Sequence, residues 1–204
     1  MYLFGASGHC KVIIDIIYKS QLDVIEGVFD DNPTIENICN IPVIKTEKSD
    51  FFLSKCLIIS IGNNKNRQKI ASQISANYLT AIHPNSVIAS NVIMGEGSVI
   101  MAGAIINSDV SIGKHCIINS NAVVEHDCYL ENFVHISPSA SMAGNVSIGE
   151  GAHLGIGSSI IQGVKIGKWA TIGAGAVIIR DVPDYAVVVG NPGKIIKYNS
   201  IVND

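Results

Sequence analysis

The sequence predicts a small α/β unit followed by a solenoid of short parallel β-strands, and three observations carry that prediction. Every sixth residue from Ile82 to Ile178 is Ile, Leu, Val or Met, and from residue 86 onward a small side chain stands two positions before each of them. The first 79 residues lack this period and instead alternate strand and helix signals. We therefore predict a Rossmann-like α/β domain over residues 1–79 and a parallel β-helix over residues 80–204.

The solenoid follows from the period itself. Six residues per repeat fit neither an α-helix nor a single strand, but they fit short extended sides joined by sharp corners. Three sides close one triangular coil, so a residue eighteen positions further on lies directly above its predecessor. The seventeen repeats predict between five and six stacked coils whose interior is filled by Ile82, Ile88, Met94, Ile100, Ile106, Ile112, Ile118, Val124, Leu130, Ile136, Met142, Ile148, Leu154, Ile160, Ile166, Ile172 and Ile178.

The N-terminal domain carries the signals of a nucleotide-binding α/β fold. A strand at YLF leads through the glycine turn GASGH into a helix from Cys10 to Lys19, and a second strand ends at the acidic pair Asp30 and Asp31. A buried strand, CLIISIG, then ends at Gly62. A glycine turn at a helix N-terminus can bind phosphate, and acidic residues after the second strand can bind a ribose or base. The turn has the spacing G-x-x-G, so a dinucleotide is not indicated.

Composition excludes several classes of protein. The 204 residues are 48% hydrophobic and 15% charged, and no run of eighteen apolar residues suggests a membrane span. A net charge of −3 without a basic run argues against a nucleic-acid surface. Five cysteines without ligand spacing predict reduced thiols and no metal site. The first residues do not resemble a secretion signal, so we expect a cytoplasmic protein.

One histidine stands out as a candidate catalytic base. His126 lies two residues past an inward position, at an outward corner, and is flanked by Glu125 and Asp127. Acyl transfer from a thioester to an amine needs the two partners held together, a base for the amine proton and a donor for the oxyanion. Either neighbouring carboxylate can hold the imidazole in one tautomer. The corner therefore predicts general-base chemistry.

The eighteen-residue rule supplies further candidates. Gly144 lies one coil above His126, where its backbone N–H can serve as an oxyanion donor. His135 and His153 form another column on a different side of the coil. Cys128 stands close to His126 in sequence, but it occupies the small inward position, so we predict that it packs in the core and is not a nucleophile.

These motifs resemble a known family over nearly the whole chain. The repeats look like those of hexapeptide-repeat acyltransferases, whose β-helices are left-handed and whose active sites lie between subunits of a homotrimer. More specifically, GASGH, Asp30–Asp31, SIGNN, the EHDC…HIS segment, AGN at 143–145 and VVVGNPGKII resemble the NeuD/PglD type of sugar acetyltransferase. The resemblance implies an acetyl-CoA-dependent N-acetyltransferase that acts on a nucleotide-linked 4-amino-4,6-dideoxy sugar for surface glycans.

The resemblance also implies roles for individual residues. His126 is the expected general base, Asp127 its partner and Asn119 a residue that orients it. Gly144 is expected to contact the oxyanion, and His135 to lie near the acetyl-CoA thioester. Ile156 and Ala174 are expected to line the CoA channel, beneath a cover formed by VVVGNPG. The nucleotide sugar is expected to bind Ser7, Gly8, His9, Asp30, Asp31 and Gly62, with His9 reaching the amine from a neighbouring subunit.

Three other readings stay open at this stage. The same residues suit O-acetylation of a sialic acid or another sugar hydroxyl. A γ-type carbonic anhydrase also combines a β-helix with histidines, but it needs three imidazoles around zinc and leaves the N-terminal domain unexplained. A non-catalytic scaffold that binds a nucleotide sugar is distinguished by retained sugar binding without acetyl transfer.

Overall fold

The N-terminal part of the chain forms a twisted six-stranded sheet. The computed structural model describes residues 1–46 and 49–200. The strand order in this sheet is β3-β4-β2-β1-β5-β6, parallel except where β3 pairs antiparallel with β4. The elements are β1 (Tyr2–Phe4), α1 (Gly8–Ser20), β2 (Gly27–Asp30), β3 (Asn37–Ile38), β4 (Ile41–Lys45), a 3₁₀ turn (Ser49–Phe52), β5 (Cys56–Ile59), α2 (Asn64–Gln73) and β6 (Asn77–Tyr78).

The two helices begin and end where local chemistry allows. Helix α1 follows the glycine turn and ends at Gln21, whose left-handed backbone (φ 52°) closes the last turn. Its buried stripe includes Ile13, Ile16 and Ile17 and packs on the sheet and on the first coils of the solenoid. Helix α2 is capped by Asn63, whose side-chain oxygen accepts a hydrogen bond from the N–H of Asn66 at 3.0 Å.

The repeats form a parallel β-helix with one two-residue strand per repeat. These strands make three sheets and, among themselves, pair only at a spacing of eighteen residues, as in His135 with His153. They are β7 (Ala81–Ile82), β8 (Val87–Ile88), β9 (Ile93–Met94), β10 (Val99–Ile100), β11 (Ile105–Ile106), β12 (Ser111–Ile112), β13 (Ile117–Ile118), β14 (Val123–Val124), β15 (Tyr129–Leu130), β16 (His135–Ile136), β17 (Ser141–Met142), β18 (Ser147–Ile148), β19 (His153–Leu154), β20 (Ser159–Ile160), β21 (Lys165–Ile166), β22 (Thr171–Ile172) and β23 (Val177–Ile178).

Both predicted inward positions of the repeat fill the interior. From Ile100 to Ile178 the large residues form one continuous buried cluster together with the small residues that precede them. Ile82 is an exception, at 39% exposed, because β7 is the last strand of its sheet at the open end of the helix. The seventeen strands on three faces amount to between five and six coils, which confirms the predicted architecture.

The corners share one backbone conformation. Every sixth residue from Gly97 to Gly175 has a positive φ, including non-glycine residues such as Asp127 (φ 61°) and Phe133 (φ 61°). A single left-handed residue per corner turns the chain sharply between two short strands. As a result, residues on either side of a corner no longer point to opposite faces, and neighbouring side chains can meet.

The last strands close the far end of the helix. β24 (Ala186–Val189) adds to the sheet of β22, and β25 (Lys194–Tyr198) returns antiparallel to it. At the other end, the predicted division at residues 79 and 80 falls between β6 and β7. None of the helices in the described ranges combines the length and apolarity of a membrane span.

Candidate active site

His126 and Asp127 meet at one corner of the β-helix. Asp127 is the left-handed residue between β14 and β15, and this turn brings its Oδ2 to 2.7 Å from His126 Nδ1. Both side chains are exposed, at 61% and 59%. Of the two carboxylates that flank His126 in the sequence, Asp127 is therefore the one in hydrogen-bond contact with the imidazole.

The carboxylates change the protonation of this histidine. The hydrogen bond that His126 donates to Asp127 raises the pKa of His126 above its usual value, with smaller contributions from the charges of Asp127 and Glu125, while desolvation acts the other way. The hydrogen bond also fixes the tautomer, because Nδ1–H must point at the carboxylate. Nε2 is left as the basic nitrogen on the open side of the ring.

Gly144 lies against the ring of His126, one coil further on. A Cβ built at Gly144 would be 2.5 Å from His126 Cε1 and 2.7 Å from Nε2. Its N–H donates no hydrogen bond to another group in the described ranges 1–46 and 49–200. The eighteen-residue spacing therefore brings Gly144 against the His126 ring, and its role as an oxyanion donor stays a prediction.

A second polar cluster lies at the junction of the two domains. His135 projects from β16 and is buried, with its Nδ1 at 3.3 Å from the carbonyl oxygen of Gly62 and its ring stacked on His153 at 4.8 Å. Burial, followed by the neighbouring His153 and Arg67, lowers the pKa of His135 to about 2. His135 is therefore neutral at physiological pH, with Nδ1–H directed at Gly62.

His9 lies next to these residues, and we call His9, Gly62, His135 and His153 the junction cluster. Its ring centroid is 6.4 Å from that of His135, and a Cβ at Gly62 would lie 3.8 Å from its Cγ. Its buried Nε2 has no hydrogen-bond partner among the described residues. Burial lowers the pKa of His9 to about 4, so it too is a neutral imidazole.

Asn119 contacts His135 within the chain, although it was predicted to orient His126. Its Nδ2 is 3.0 Å from Nε2 of His135, and its Oδ1 accepts a hydrogen bond from the N–H of Ser120. Asn119 therefore contacts the junction cluster and not the His126 of the same chain. The role of Asn119 in orienting His126 stays a prediction.

The predicted nucleotide residues surround the carboxyl ends of the parallel strands. Asp30 holds the glycine turn, because its Oδ2 accepts from the N–H of Ala6 at 2.8 Å and its Oδ1 from that of Asn32 at 2.9 Å. Ser7 and Gly8 are exposed at the start of α1. A cavity of about 250 Å³ opens beside Asp30 and is lined by Phe4, Asp30, Asp31, Ile61, Asn66, Lys69 and Ile70.

Ile156 and Ala174 lie on a third part of the surface. Both are exposed at the corner that follows the sheet of His135, one coil apart. The corner of His126 lies beyond the next sheet, that of β14 and β17. Within one chain, the structure therefore brings His135, His9 and Gly62 together but leaves His126 at a separate corner.

Two residues at the junction escaped the sequence analysis. Asn64 donates to the carbonyl oxygens of Gly151 and Ala152, and Arg67 is 1% exposed and bonded to five acceptors. The sequence feature that could have identified them is their helical spacing, because Asn64, Arg67 and Ile70 form the buried stripe of α2. Across residues 1–46 and 49–200, no three His, Cys, Asp or Glu side chains are placed to share a metal ion.

Comparison with known proteins agrees with both halves of this description. Residues 1–74 match the model of the PglD N-terminal domain, and residues 91–126 and 145–180 match the bacterial transferase hexapeptide model. A UDP-N-acetylbacillosamine N-acetyltransferase of Bacillus subtilis is 39% identical over 108 residues, which span 49% of this chain and 50% of that protein. The alignment thus spans only about half the length of this curated relative.

Solved structures match over almost the whole chain. A variant of perosamine N-acetyltransferase from Caulobacter crescentus, solved with CoA and GDP-perosamine, is 37% identical, covers 96% of both chains and superposes with a TM-score of 0.89. The acetyltransferase domain of PglB from Neisseria gonorrhoeae, solved with acetyl coenzyme A, is 33% identical over 96% of this chain and 98% of that one, with a TM-score of 0.86.

The repeats, the exposed histidine corner and the α/β domain define a hexapeptide-repeat acyltransferase. The chain belongs to the PglD-type family of sugar acetyltransferases within that class. This confirms the resemblance read from the sequence, the acyltransferase class and the predicted fold of an α/β domain followed by a left-handed β-helix.

Proposed function

We propose that this protein transfers an acetyl group from acetyl-CoA to the amino group of a nucleotide-linked amino sugar, with His126 as the general base. The observation that carries the proposal is the corner itself. An exposed imidazole is oriented by Asp127 through Nδ1, and Gly144, whose backbone N–H donates to no described residue, lies against the same ring. A base and an oxyanion donor side by side are what aminolysis of a thioester needs.

The reaction balances with these groups alone. The amine nitrogen attacks the thioester carbonyl while Nε2 of His126 takes one of its protons, and the Gly144 N–H donates to the oxyanion that forms. Collapse of the tetrahedral intermediate expels the CoA thiolate, which takes a proton from the imidazolium. Asp127 stabilises the positive imidazolium between the two steps, consistent with the raised pKa of His126.

Acetyl-CoA is the proposed cosubstrate, as in the gonococcal domain, whose structure contains it. We place the thioester near His135 of one copy, whose Nε2 faces Asn119, and near the N–H of Gly144 of a second copy of the chain. The exposed corner of Ile156 and Ala174 offers an apolar surface for the CoA chain. This cosubstrate also favours the expected cytoplasmic location, since acetyl-CoA is a product of central metabolism inside the cell.

The nucleotide sugar is proposed to bind the N-terminal domain. Helix α1 presents the N–H groups of Gly8 and His9, which donate to no other described residue, and these suit a diphosphate. The cavity beside Asp30 and Asp31 suits the nucleoside. The Caulobacter relative was solved with a GDP sugar, and the Bacillus relative is named for a UDP sugar, so both nucleotides belong in the test.

A complete site requires a second copy of the chain. His126 lies at a corner between β14 and β15, whereas His135 lies on β16 in another sheet. A side of one helix packed against the next, as in a homotrimer, brings one copy's His126 to the junction cluster of its neighbour. Exposed apolar residues on the intervening sheet, Val87 at 63% and Ile105 at 37%, support such packing.

The test is release of free CoA from acetyl-CoA, read with a thiol reagent. The acceptors are UDP-, dTDP- and GDP-linked 4-amino-4,6-dideoxy sugars, CMP-sialic acid and free sialic acid. We expect turnover on one amino sugar, largely lost in His126→Ala. Ser90→Ala, at an exposed position two coils below in the same column, is the matched control.

Each other outcome has a definite meaning. Turnover only on a sialic acid moves the acceptor from an amine to a hydroxyl. Sugar binding without turnover identifies a scaffold and contradicts the proposal. An unchanged rate in His126→Ala contradicts the assignment of the base.

A further inference from the structure

The most deeply buried charged side chain among the described residues lies at the junction of the two domains. Arg67, on α2, is 1% exposed, and its guanidinium pairs with no carboxylate of residues 1–46 and 49–200. Its donors are satisfied by backbone carbonyls and one amide: Nε by His115 O at 2.8 Å, Nη1 by Ile61 O at 3.0 Å and Gly62 O at 3.2 Å, and Nη2 by Asn64 Oδ1 and Phe133 O, both at 2.9 Å.

Stability alone does not explain this arrangement, because burying an unpaired cation costs free energy. Burial lowers the pKa of Arg67 to about 10, so the group remains charged at neutral pH with no counter-ion among the described residues. Taking a cation out of water costs several kcal/mol, and well-packed apolar residues often do as well or better. What a guanidinium offers that they do not is a planar fork of five donors that fixes several acceptors at set angles.

The acceptors belong to both domains. Ile61 and Gly62 follow β5 in the N-terminal domain, whereas His115 and Phe133 occupy the same corner of two successive coils. Asn64 extends the series to the next coil, because its Nδ2 donates to Gly151 O at 3.0 Å and to Ala152 O at 3.2 Å. Arg67 and Asn64 therefore fasten one loop of the α/β domain to three stacked corners of the β-helix.

That loop also touches the junction histidines. The carbonyl oxygen of Gly62 accepts from Arg67 Nη1 and lies 3.3 Å from Nδ1 of His135. Any movement of the loop therefore changes the contact that holds the His135 ring. It also moves the strand ends around the cavity of Asp30 and Asp31, because Ile61 lines the same cavity.

We propose that Arg67 is a positioning residue that sets the nucleotide-binding domain at a fixed distance from the acetyl-transfer site. The inference rests on the proposed function, in which the nucleotide is held by one domain and the thioester by the other. An acceptor anchored through its nucleotide gains rate only if the anchor and the reacting centre are rigidly connected. An acceptor that lacks the nucleotide gains nothing from that connection.

The experiment compares these two acceptors in the full-length protein. The anchored acceptor is the nucleotide-linked amino sugar turned over by the unaltered enzyme, and the unanchored one is the methyl glycoside of the same sugar at high concentration. Arg67→Gln is the main variant, and Arg67→Lys keeps the charge but not the fork. Lys19→Gln is the matched control, because it removes an exposed cation from α1 whose partner Asp15 is also exposed.

In Arg67→Gln, we expect kcat/KM on the anchored acceptor to fall at least tenfold, with KM for acetyl-CoA unchanged. On the methyl glycoside, kcat/KM per folded molecule should change less than about twofold. On the anchored acceptor, kcat/KM of Arg67→Lys should lie between that of Arg67→Gln and that of the unaltered enzyme. Lys19→Gln should match the unaltered enzyme on both acceptors. If Arg67→Gln does not fold, Asn64→Ala serves instead, and we expect a smaller loss of kcat/KM on the anchored acceptor with the methyl glycoside again little affected.

The failures are distinguishable. An equal loss on both acceptors, in proportion to the loss of folded protein, means that Arg67 only stabilises the chain and overturns the inference. An unchanged rate on the anchored acceptor overturns it as well. No turnover of any sugar by the unaltered protein overturns the proposed function, and the inference with it.

Discussion

Replacing Gly144 with alanine tests the catalytic corner without removing any functional group. The backbone of Gly144 does not have a positive φ, so alanine adopts it without strain. The added Cβ would lie 2.5 Å from His126 Cε1, whereas ordinary contact begins near 3.4 Å. The imidazole must therefore move by about 1 Å, and it can do so because it is 61% exposed.

The displacement should reduce activity far more than stability. A misplacement of about 1 Å at a reacting group costs roughly 10²-fold in rate, which corresponds to about 2.7 kcal/mol of barrier. The movement also weakens the 2.7 Å contact between His126 and Asp127. Because that contact raises the pKa of His126, the pKa should fall toward its usual value and the acid limb of kcat/KM should move to lower pH.

The assay is kcat/KM as a function of pH, from CoA release, together with the melting temperature. A double-mutant cycle with His126→Ala supplies the control, because an effect transmitted through the ring disappears when the ring is absent. Wild-type rates in Gly144→Ala would refute the proposed geometry. An equal loss in the His126→Ala background would show that the methyl group acts elsewhere, for example on the acyl chain.

Three further outcomes are expected. Asp127→Asn removes the carboxylate whose hydrogen bond and, to a smaller extent, charge raise the pKa of His126. The acid limb of the pH profile of kcat/KM should therefore shift to lower pH and kcat should fall about tenfold; an unshifted limb would exclude Asp127 as the partner. Ile118→Ala, at a fully buried interior position, should lower the free energy of unfolding by about 2–5 kcal/mol in a urea titration, whereas the exposed Ile93→Ala should change it far less. Burial lowers the pKa of His115 to about 4 and that of His135 to about 2, so below about pH 6.5 the unfolded chain binds more protons. The free energy of unfolding should therefore be fully retained above pH 6.5 and fall on acidification, by at most about 1.4 kcal/mol per pH unit for each histidine; His115→Phe should flatten this slope in melts between pH 7.5 and 5.

The β-helix was predictable because its determinants are local and periodic. Each repeat needs one large and one small inward residue, and the next strand is always six residues away, so the register follows directly from counting. The same counting predicts Gly144 one coil above His126. The corner conformation also explains why Asp127 reaches Nδ1, a contact that simple strand alternation between neighbours would forbid.

The junction was not predictable in the same way. Asn64 and Arg67 bond to carbonyls from 48 to 88 residues away, and nothing local in the helix fixes which coil will lie against it. Asn119 was assigned to His126 by resemblance, but its partner within the chain is His135. The hairpins of β3–β4 and β24–β25 were missed because their pairing depends on which sheet edge is free.

At several corners of the β-helix, a glycine in one coil leaves room for a large side chain of the neighbouring coil. Gly97, Gly103 and Gly151 each leave room for the side chain one coil above, which belongs to His115, Asn121 and Trp169. Gly144 instead leaves room for the side chain one coil below, that of His126. His126 is thus the one imidazole among these that leans toward the following coil. The space that Gly144 leaves is therefore occupied by the imidazole itself, so a larger side chain at this position would displace the ring that the proposed chemistry uses.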